Sequence, residues 1–240
     1  MTIAENLAAI QSRIDKACEI AGRESSSVRL LPVSKTHGID KIREARSAGY
    51  HLFGENKVQE LASKSAEVSP DEEISFALIG HLQTNKAKVA AELVSEFHAL
   101  DSLKLAAALN RHCESFDRSL DVFVQVNSSG EESKFGLPPE KVVDFARELA
   151  AFERLNVVGL MTLAVFSQVE AEVTACFQRM VRVRQQLRDE AVLNSEWTEL
   201  SMGMSGDFEL AIQYGATGVR VGEAIFGSRL RPQDYWPGVK

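Results

Sequence analysis

The feature that most constrains the fold of this chain is a regular alternation of apolar strand candidates with helical patterns. Repeated strand–helix units of this kind build a parallel sheet with helices on its outer face. Closed barrels of eight such units need roughly 250 residues, which the 240 residues of this chain nearly match. We therefore predict an α/β fold, a single (β/α)8 TIM barrel. The strand candidates begin near Val28, Tyr50, Ile74, Glu96, Leu120, Leu155, Trp197 and Gly218.

The main alternative to a barrel is an open, doubly wound sheet, because it shows the same local alternation. Dinucleotide-binding sheets of that type carry a GxGxxG turn after the first strand. Here the first strand is followed by Ser34-Lys35-Thr36-His37-Gly38, which lacks that pattern. The missing fingerprint and the eight units favour the barrel.

The ends of the chain lie outside the repeating units. Ile3, Leu7, Ile10 and Ile14 recur at helical spacing and predict an extra N-terminal helix over residues 1–22. No linker or low-complexity segment interrupts the rest, so residues 1–240 are predicted to form one domain. Residues 231–240 are predicted to be a loose tail.

Composition and charge favour a soluble cytoplasmic protein. A net charge of -7 argues against nucleic acid as a partner, and no apolar run is long enough to span a bilayer. The N-terminus does not read as a signal peptide. Cys18, Cys113 and Cys176 are odd in number and widely spaced, which is typical of buried thiols in a reducing compartment.

Polar residues stand at the carboxyl ends of nearly all strand candidates. In a barrel these ends meet at one mouth, where the functional site lies. The strands therefore predict a site built from chemically varied side chains. The strand-end residues are Lys35, Asn56, His81, Asp101, Asn127, Met161, Ser201 and Arg220.

Lys35 ends the first apolar strand, where a lysine needs a use, a charge partner or access to water. Its amine could form a Schiff base with a carbonyl ligand if burial or a nearby cation favours loss of its proton. The alternative is a structural ion pair with Glu55 or Asp101. Spacing alone leaves both interpretations open.

Arg220 leaves the last apolar strand as a fixed cation. It could bind a carboxylate, a phosphate or a ring nitrogen. A salt bridge to Glu223 or Asp207 is the alternative, and local sequence does not separate the two.

Glycine- and serine-containing segments follow the seventh and eighth strand candidates, where barrels often bind phosphate. Ser205-Gly206-Asp207 precedes a helical pattern, and Gly222 would let a backbone approach a ligand closely. Ser205 alone would be read as a plain helix cap. The pairing of the two segments favours a phosphate site, although Asp207 is an electrostatically awkward neighbour for it.

Three further polar residues have both a functional and a structural interpretation. Asn56 could bind a ligand hydroxyl or cap the following helix. Lys134 lies in a polar loop and could bind an anion or stay solvated. His81 has no partner at metal-ligand spacing, and the other histidines do not group, so no metal site is predicted.

In these segments the chain resembles a known family, the pyridoxal phosphate homeostasis proteins of the YggS/PROSC group. Each motif is weak by itself, but the set follows in order over nearly the whole chain. The motifs are VSKT at 33–36, FGEN and VQE at 53–60, IGHLQ at 79–83, VN and KFG at 126–136, GLM at 159–161, LSMGMS at 200–205, VRVG at 219–222 and IFG at 225–227.

The resemblance implies a barrel like the alanine racemase N-terminal domain, with pyridoxal 5′-phosphate (PLP) held as a covalent aldimine on Lys35. It places Ser205 and the backbone of Gly222 and Glu223 at the phosphate, and Arg220 at the pyridine nitrogen. The implied pocket is lined by Asn56 and Ser201, with a mouth near Lys134, His81 and Met161.

The resemblance also implies a carrier or regulator of PLP that supplies PLP-dependent apoenzymes and is monomeric. An arginine at the ring nitrogen weakens the ring as an electron sink. Alanine racemases use a tyrosine from a second domain, whereas this chain offers Tyr50, Tyr214 and Tyr235. Two alternatives remain open, a PLP-dependent amino-acid racemase and a class I aldolase-type barrel enzyme.

Overall fold

The computed structural model describes residues 1–227, and its eight strands are all parallel and hydrogen-bonded into one sheet. The strands follow the predicted starts within two residues. They are β1 (Arg29–Pro32), β2 (Leu52–Glu55), β3 (Ser75–Leu78), β4 (Glu96–Leu100), β5 (Leu120–Val126), β6 (Leu155–Thr162), β7 (Glu199–Ser201) and β8 (Gly218–Val221).

Helices lie between the strands and at the N-terminus, as the alternation predicts. Helices α2 to α8 each connect two neighbouring parallel strands, which need a long crossover, whereas α1 precedes β1 and α9 follows β8. They are α1 (Ile3–Ile20), α2 (Ile39–Ser47), α3 (Val58–Ser65), α4 (Ala87–Leu93), α5 (Leu103–Ser115), α6 (Val142–Glu148), α7 (Glu170–Asp189), α8 (Phe208–Gln213) and α9 (Glu223–Phe226).

The sheet is closed into a barrel at its first strand. Strand order runs β1-β8-β7-β6-β5-β4-β3-β2, so β1 pairs with β8 along its whole length. Just beyond β1, Val33 bridges to Gly54, and the Ser34 N–H donates to the Gly54 carbonyl at 3.0 Å. This contact joins the chain after β1 to β2. The predicted (β/α)8 barrel is confirmed.

Helix α1 is the predicted extra helix and covers the closing side of the barrel. Thr2 and Glu5 form a capping box that fixes its start. Its buried face, which includes Leu7 and Ile14, packs against α2, α8 and α9. The Asn6 side-chain amide adds a hydrogen bond to the Ile225 carbonyl at 2.8 Å. The predicted tail, 231–240, lies outside the described residues.

The structure also bears on membrane spans, cysteines and metal ligands. Within residues 1–227 no helix has the length and hydropathy needed to cross a bilayer. Cys18, Cys113 and Cys176 are buried thiols, as predicted. No group of potential ligands that could hold a metal ion occurs in the described part of the chain.

Candidate functional site

A cavity of about 980 Å³ opens at the carboxyl ends of the strands, the end of the barrel where the sequence places the site. Residues following β1, β2, β3, β6, β7 and β8 line it. All of the predicted binding residues except Ser201 are among them. These lining residues are Lys35, Asn56, Ser205, Arg220, Gly222 and Glu223.

Lys35 follows immediately on the segment that closes the barrel, and the residues on both sides of it are fixed. Ser34 is fully buried, and its hydroxyl donates to Glu55 Oε1 at 2.5 Å. Its carbonyl accepts a hydrogen bond from Lys64 Nζ at 2.9 Å. The Thr36 N–H donates to Glu60 Oε1 at 2.5 Å, and Thr36 has a φ of 68°. Lys35 thus extends from a backbone held on both flanks.

The acidic and basic groups near Lys35 form one cluster in which Lys64 and Glu55 are buried and Glu60 is partly buried. Lys64 Nζ lies 2.6 Å from Glu55 Oε1 and 2.7 Å from Glu60 Oε1. Burial raises the pKa of Glu55 above its ordinary value, although the Lys64 ammonium opposes that shift. Glu55 and Asp101 were the two ion-pair partners considered for Lys35. Glu55 pairs with Lys64, and Asp101 Oδ2 lies 3.9 Å from His81 Nδ1.

Arg220 is a buried cation at the base of the cavity. Its Nη1 donates to Ser201 Oγ at 2.8 Å, and its Nη2 donates to the Thr162 carbonyl at 2.7 Å. Within residues 1–227 it has no ion pair, so the alternative salt bridges to Asp207 and Glu223 are not formed. Burial lowers the pKa of Arg220 to about 10, which leaves it protonated at neutral pH. A buried cation with neutral partners favours a ligand that carries an acceptor or a negative charge.

Ser201 lies beneath Arg220 rather than on the cavity wall. It is 2 % exposed, and its oxygen accepts the hydrogen bond from Arg220. It thus contacts a lining residue of the cavity from behind.

The turn after β7 presents Ser205 and Gly206 to the cavity. Gly203 has a φ of 97°, and a Cβ there would lie 2.9 Å from Phe208 Cα, so the turn requires glycine. The Asp207 carboxylate accepts a hydrogen bond from the Met204 N–H at 2.6 Å. A Cβ on Gly206 would meet no atom within 4 Å, so the backbone at this point is open to a ligand.

Asn56 is positioned by the turn after β3. A Cβ on Gly80 would lie 2.1 Å from the Asn56 carbonyl oxygen, so only glycine allows these two segments to approach. This contact brings the ends of β2 and β3 together and holds the Asn56 backbone at the cavity edge.

The three residues predicted at the pocket mouth do not line the cavity. The His81 ring stacks on Phe135 with centroids 3.9 Å apart. Lys134 Nζ donates to the Ala164 carbonyl at 3.0 Å and pairs with Glu131. Met161 is fully buried in β6, in register with Ser201.

Lys134 nevertheless contacts the segment 163–168, which forms part of the cavity wall. Residues 163 and 165–168 line the cavity. Lys134 Nζ donates to the carbonyl of Ala164, which lies between these lining residues. Phe166 in this segment is completely exposed.

Sequence reasoning did not identify Lys64, Glu60, Thr162 or His98 as parts of the site. Lys64 and Glu60 stand four residues apart on α3, a spacing that indicates a helical ion pair but not its burial. His98 interrupts the apolar strand β4, which was a usable signal for a polar contact inside the barrel.

The comparisons with known proteins agree on one family. The model of the alanine racemase N-terminal domain matches residues 6–230. The pyridoxal phosphate homeostasis protein of Pseudomonas aeruginosa is 41% identical over 228 residues, which cover 95% of this chain and 96% of that protein. The protein of the same name from Schizosaccharomyces pombe is 37% identical and is covered to 93%, with 95% of this chain aligned.

Solved structures show the same relationship. PipY of Synechococcus elongatus with PLP bound has a TM-score of 0.82 and 35% identity, covering 94% of this chain and 100% of PipY. Alanine racemase of Clostridium difficile 630 has a TM-score of 0.72 at 17% identity, with 96% of this chain and 58% of the racemase covered, which shows a shared fold. The chain therefore belongs to the pyridoxal phosphate homeostasis protein family, and its barrel is that of the alanine racemase N-terminal domain.

Proposed function

We propose that this protein binds PLP at the carboxyl ends of its strands and holds it in a releasable form that maintains the intracellular supply of PLP. One observation carries the proposal. The amine of Lys35, the cation of Arg220 and the hydroxyl of Ser205 border the same cavity, in a chain 35% identical to a protein whose structure contains PLP.

The residues around the cavity match the chemical parts of PLP. PLP offers an aldehyde, a ring nitrogen, a ring hydroxyl and a phosphate. Lys35 supplies an amine for the aldehyde, and Arg220 supplies N–H donors for the ring nitrogen. Asn56 is assigned to the ring hydroxyl. Ser205, together with the backbone of Gly222 and Glu223, is assigned to the phosphate, where the open side of the 205–206 turn leaves room for it.

The bond between protein and PLP is proposed to be a Schiff base. The unprotonated Nζ of Lys35 attacks the aldehyde carbon, a C=N bond forms, and the aldehyde oxygen leaves as water. Because the residues flanking Lys35 are already fixed, little backbone entropy is lost when its amine is held at the aldehyde. The same condensation runs in reverse with water, or with an amine of a recipient apoenzyme, so the bound PLP can be released.

A storage role is favoured over turnover by the groups that surround the ring. A guanidinium donor at the ring nitrogen disfavours protonation of that nitrogen, which weakens the ring as an electron sink. Racemisation also needs a second proton donor on the face opposite the lysine. Among the described residues, Tyr50 and Tyr214 lie outside the cavity lining.

The first test is covalent trapping. Purified protein is incubated with PLP, reduced with borohydride and digested, and the peptide carrying the pyridoxyl group is identified by mass spectrometry. The label is expected on Lys35 and absent from Lys35→Ala. Lys57→Ala is the matched control, because Lys57 is an exposed lysine near the same cavity edge. Labelling of Lys35→Ala equal to the wild type would refute the role of Lys35.

The second test separates storage from catalysis. The PLP-loaded protein is mixed with a PLP-dependent apoenzyme, and recovery of that enzyme's activity is expected. Incubation with single L-amino acids, followed by chiral chromatography, is expected to yield no D-isomer above the level of free PLP. Robust D-amino acid formation would contradict the storage role and favour the racemase alternative. Light scattering of the same sample tests the expected monomer.

A further inference from the structure

A chain of polar side chains crosses the interior of the barrel beneath the cavity. At the opposite, amino-terminal end of the barrel, both Arg29 terminal nitrogens bind the Glu96 carboxylate, one at 2.8 Å. His98 Nε2 lies 2.8 Å from Glu96 Oε2, and His98 Nδ1 lies 3.1 Å from Ser201 Oγ. Ser201 in turn accepts from Arg220. These hydrogen bonds thus connect Arg29, at the amino-terminal end of the barrel, to Arg220 in the cavity wall.

The direction of each hydrogen bond in this chain follows from its partners. An ionised carboxylate only accepts, so His98 Nε2 carries the hydrogen and donates it to Glu96. In a neutral imidazole the other nitrogen then accepts, and its partner is the Ser201 hydroxyl. The Ser201 oxygen accepts from Arg220 while its hydrogen points to His98. Every donor therefore meets an acceptor only if His98 is neutral.

The charge state of His98 agrees with this direction. His98 is 1 % exposed, and burial lowers its pKa below the ordinary value, against the opposing effect of Glu96. Burial alone would raise the pKa of Glu96, but hydrogen bonds from His98 and Arg29 outweigh it and lower the pKa to about 2. At neutral pH Glu96 is therefore ionised and His98 is neutral in this row of hydrogen-bonded side chains.

We propose that His98 is a positioning residue for the cavity and that it acts through Ser201 on the orientation of the Arg220 guanidinium. The inference rests on the proposed function, because it concerns how tightly PLP is bound. Arg220 has two neutral anchors, Ser201 Oγ and the Thr162 carbonyl. When His98 is lost, the Ser201 hydroxyl no longer has its acceptor and rotates, and one of these anchors weakens.

The surroundings of His98 allow its polar role to be separated from its packing role. Its ring packs on Phe123 with centroids 4.0 Å apart. In His98→Phe a ring of similar size remains while both ring nitrogens are lost. In His98→Asn the ring is lost, but an oxygen stands near the position of Nδ1 and can still accept from Ser201.

The test compares PLP affinity, measured by absorbance titration, in the wild type, His98→Phe, His98→Asn and Ser201→Ala. His98→Phe and Ser201→Ala are each expected to weaken binding about tenfold, which corresponds to one hydrogen bond. His98→Asn is expected to stay within about threefold of the wild type. The double variant His98→Phe/Ser201→Ala is expected to lose no more than either single variant, because both break the same chain. His112→Phe is the control, because His112 lies on α5 and does not belong to this row of hydrogen-bonded side chains.

Circular dichroism and urea unfolding establish that each variant is folded. If His98→Phe does not fold, Ser201→Ala tests the Arg220 anchor, and imidazole 15N–1H spectra of the wild type test the hydrogen bond from Ser201 to His98. Wild-type affinity in His98→Phe or Ser201→Ala, or losses that add in the double variant, would overturn the inference. If the wild type itself binds no PLP, the proposed function fails, and this result is seen before any variant is compared.

A second measurement needs no PLP. Imidazole 15N–1H correlation spectra of the ligand-free protein report which ring nitrogen of His98 carries hydrogen. The structure predicts hydrogen on Nε2 and none on Nδ1 at neutral pH. Hydrogen on Nδ1 would contradict the proposed direction of the chain, whatever the affinity for PLP.

Discussion

Replacement of Lys64 by methionine is expected to destabilise the protein strongly and in a pH-dependent manner. The Lys64 and Glu55 side chains are 4% and 0% exposed and lie 2.6 Å apart. Methionine has a similar length but no charge, so Glu55 would keep only the Ser34 hydroxyl as a donor to its bonded oxygen. Removal of one partner of a buried pair costs about 3–5 kcal/mol in the free energy of unfolding. We expect a loss of that size at pH 8.

The loss should shrink as the pH falls. Burial already raises the pKa of Glu55, and removal of the Lys64 ammonium, which opposes that shift, raises it further. A carboxyl whose pKa is higher in the folded than in the unfolded state binds its proton more tightly when folded. Stability is therefore recovered as the pH falls through the folded-state pKa. At pH 5 the variant should differ less from the wild type than at pH 8.

Urea unfolding followed by circular dichroism at pH 5 and pH 8 measures both effects. Lys88→Met, at an exposed position of α4, is the control and should change stability by no more than about 0.5 kcal/mol. The double variant Glu55→Gln/Lys64→Met removes both charges and should regain most of the loss at pH 8. A loss below about 1 kcal/mol at pH 8, or an equal loss at both pH values, would refute the reasoning.

Three further predictions concern other parts of the structure. Gly80→Ala places a methyl group 2.1 Å from the Asn56 carbonyl oxygen and should cost about 1–3 kcal/mol in urea unfolding and weaken PLP binding, whereas wild-type values would contradict the close approach. Glu96 has a pKa of about 2 against an ordinary 4.5, so its contribution to stability is present above pH 4.5 and is lost as the pH falls towards 2. Glu96→Gln should therefore be less stable than the wild type at pH 7, and its unfolding free energy should change less with pH in acid. Parallel pH profiles of the two proteins would count against this. The three buried cysteines should react with iodoacetamide only after denaturation, as judged by mass spectrometry, and rapid labelling of the native protein would show that they are accessible.

The barrel could be predicted because each strand–helix unit carries its own hydrophobic period. The second and seventh strand starts were each off by two residues, and the seventh was expected at Trp197 but begins at Glu199. Trp197 is fully buried with a φ of 46°, and its indole N–H donates to the Val192 carbonyl at 3.0 Å. An apolar residue in a buried turn has the same local signature as one in a strand, so the pattern could not separate them.

The cavity residues could be predicted where a strand end fixes their position. Lys35 and Arg220 are of this kind, because all strand ends of a barrel meet at one mouth. The layer beneath them was not predictable, since its partners are distant in sequence. His98 and Ser201 are 103 positions apart, and nothing in either strand indicates the other. The sequence also did not show that Ser201 lies deeper in the barrel than the cavity wall, where it accepts a hydrogen bond from Arg220.

The position of β1 in the sheet has a consequence for synthesis on the ribosome. β1 is made before the other strands of residues 1–227, yet its full-length hydrogen-bonded neighbour is β8, the last of those strands to emerge. Lys35 and Arg220 follow or belong to these two strands, so a nascent chain holds the amine long before it holds the cation. The proposed capture of PLP by Lys35 and Arg220 would thus be restricted to chains whose translation has passed β8, and premature termination before β8 would leave a product without a closed sheet.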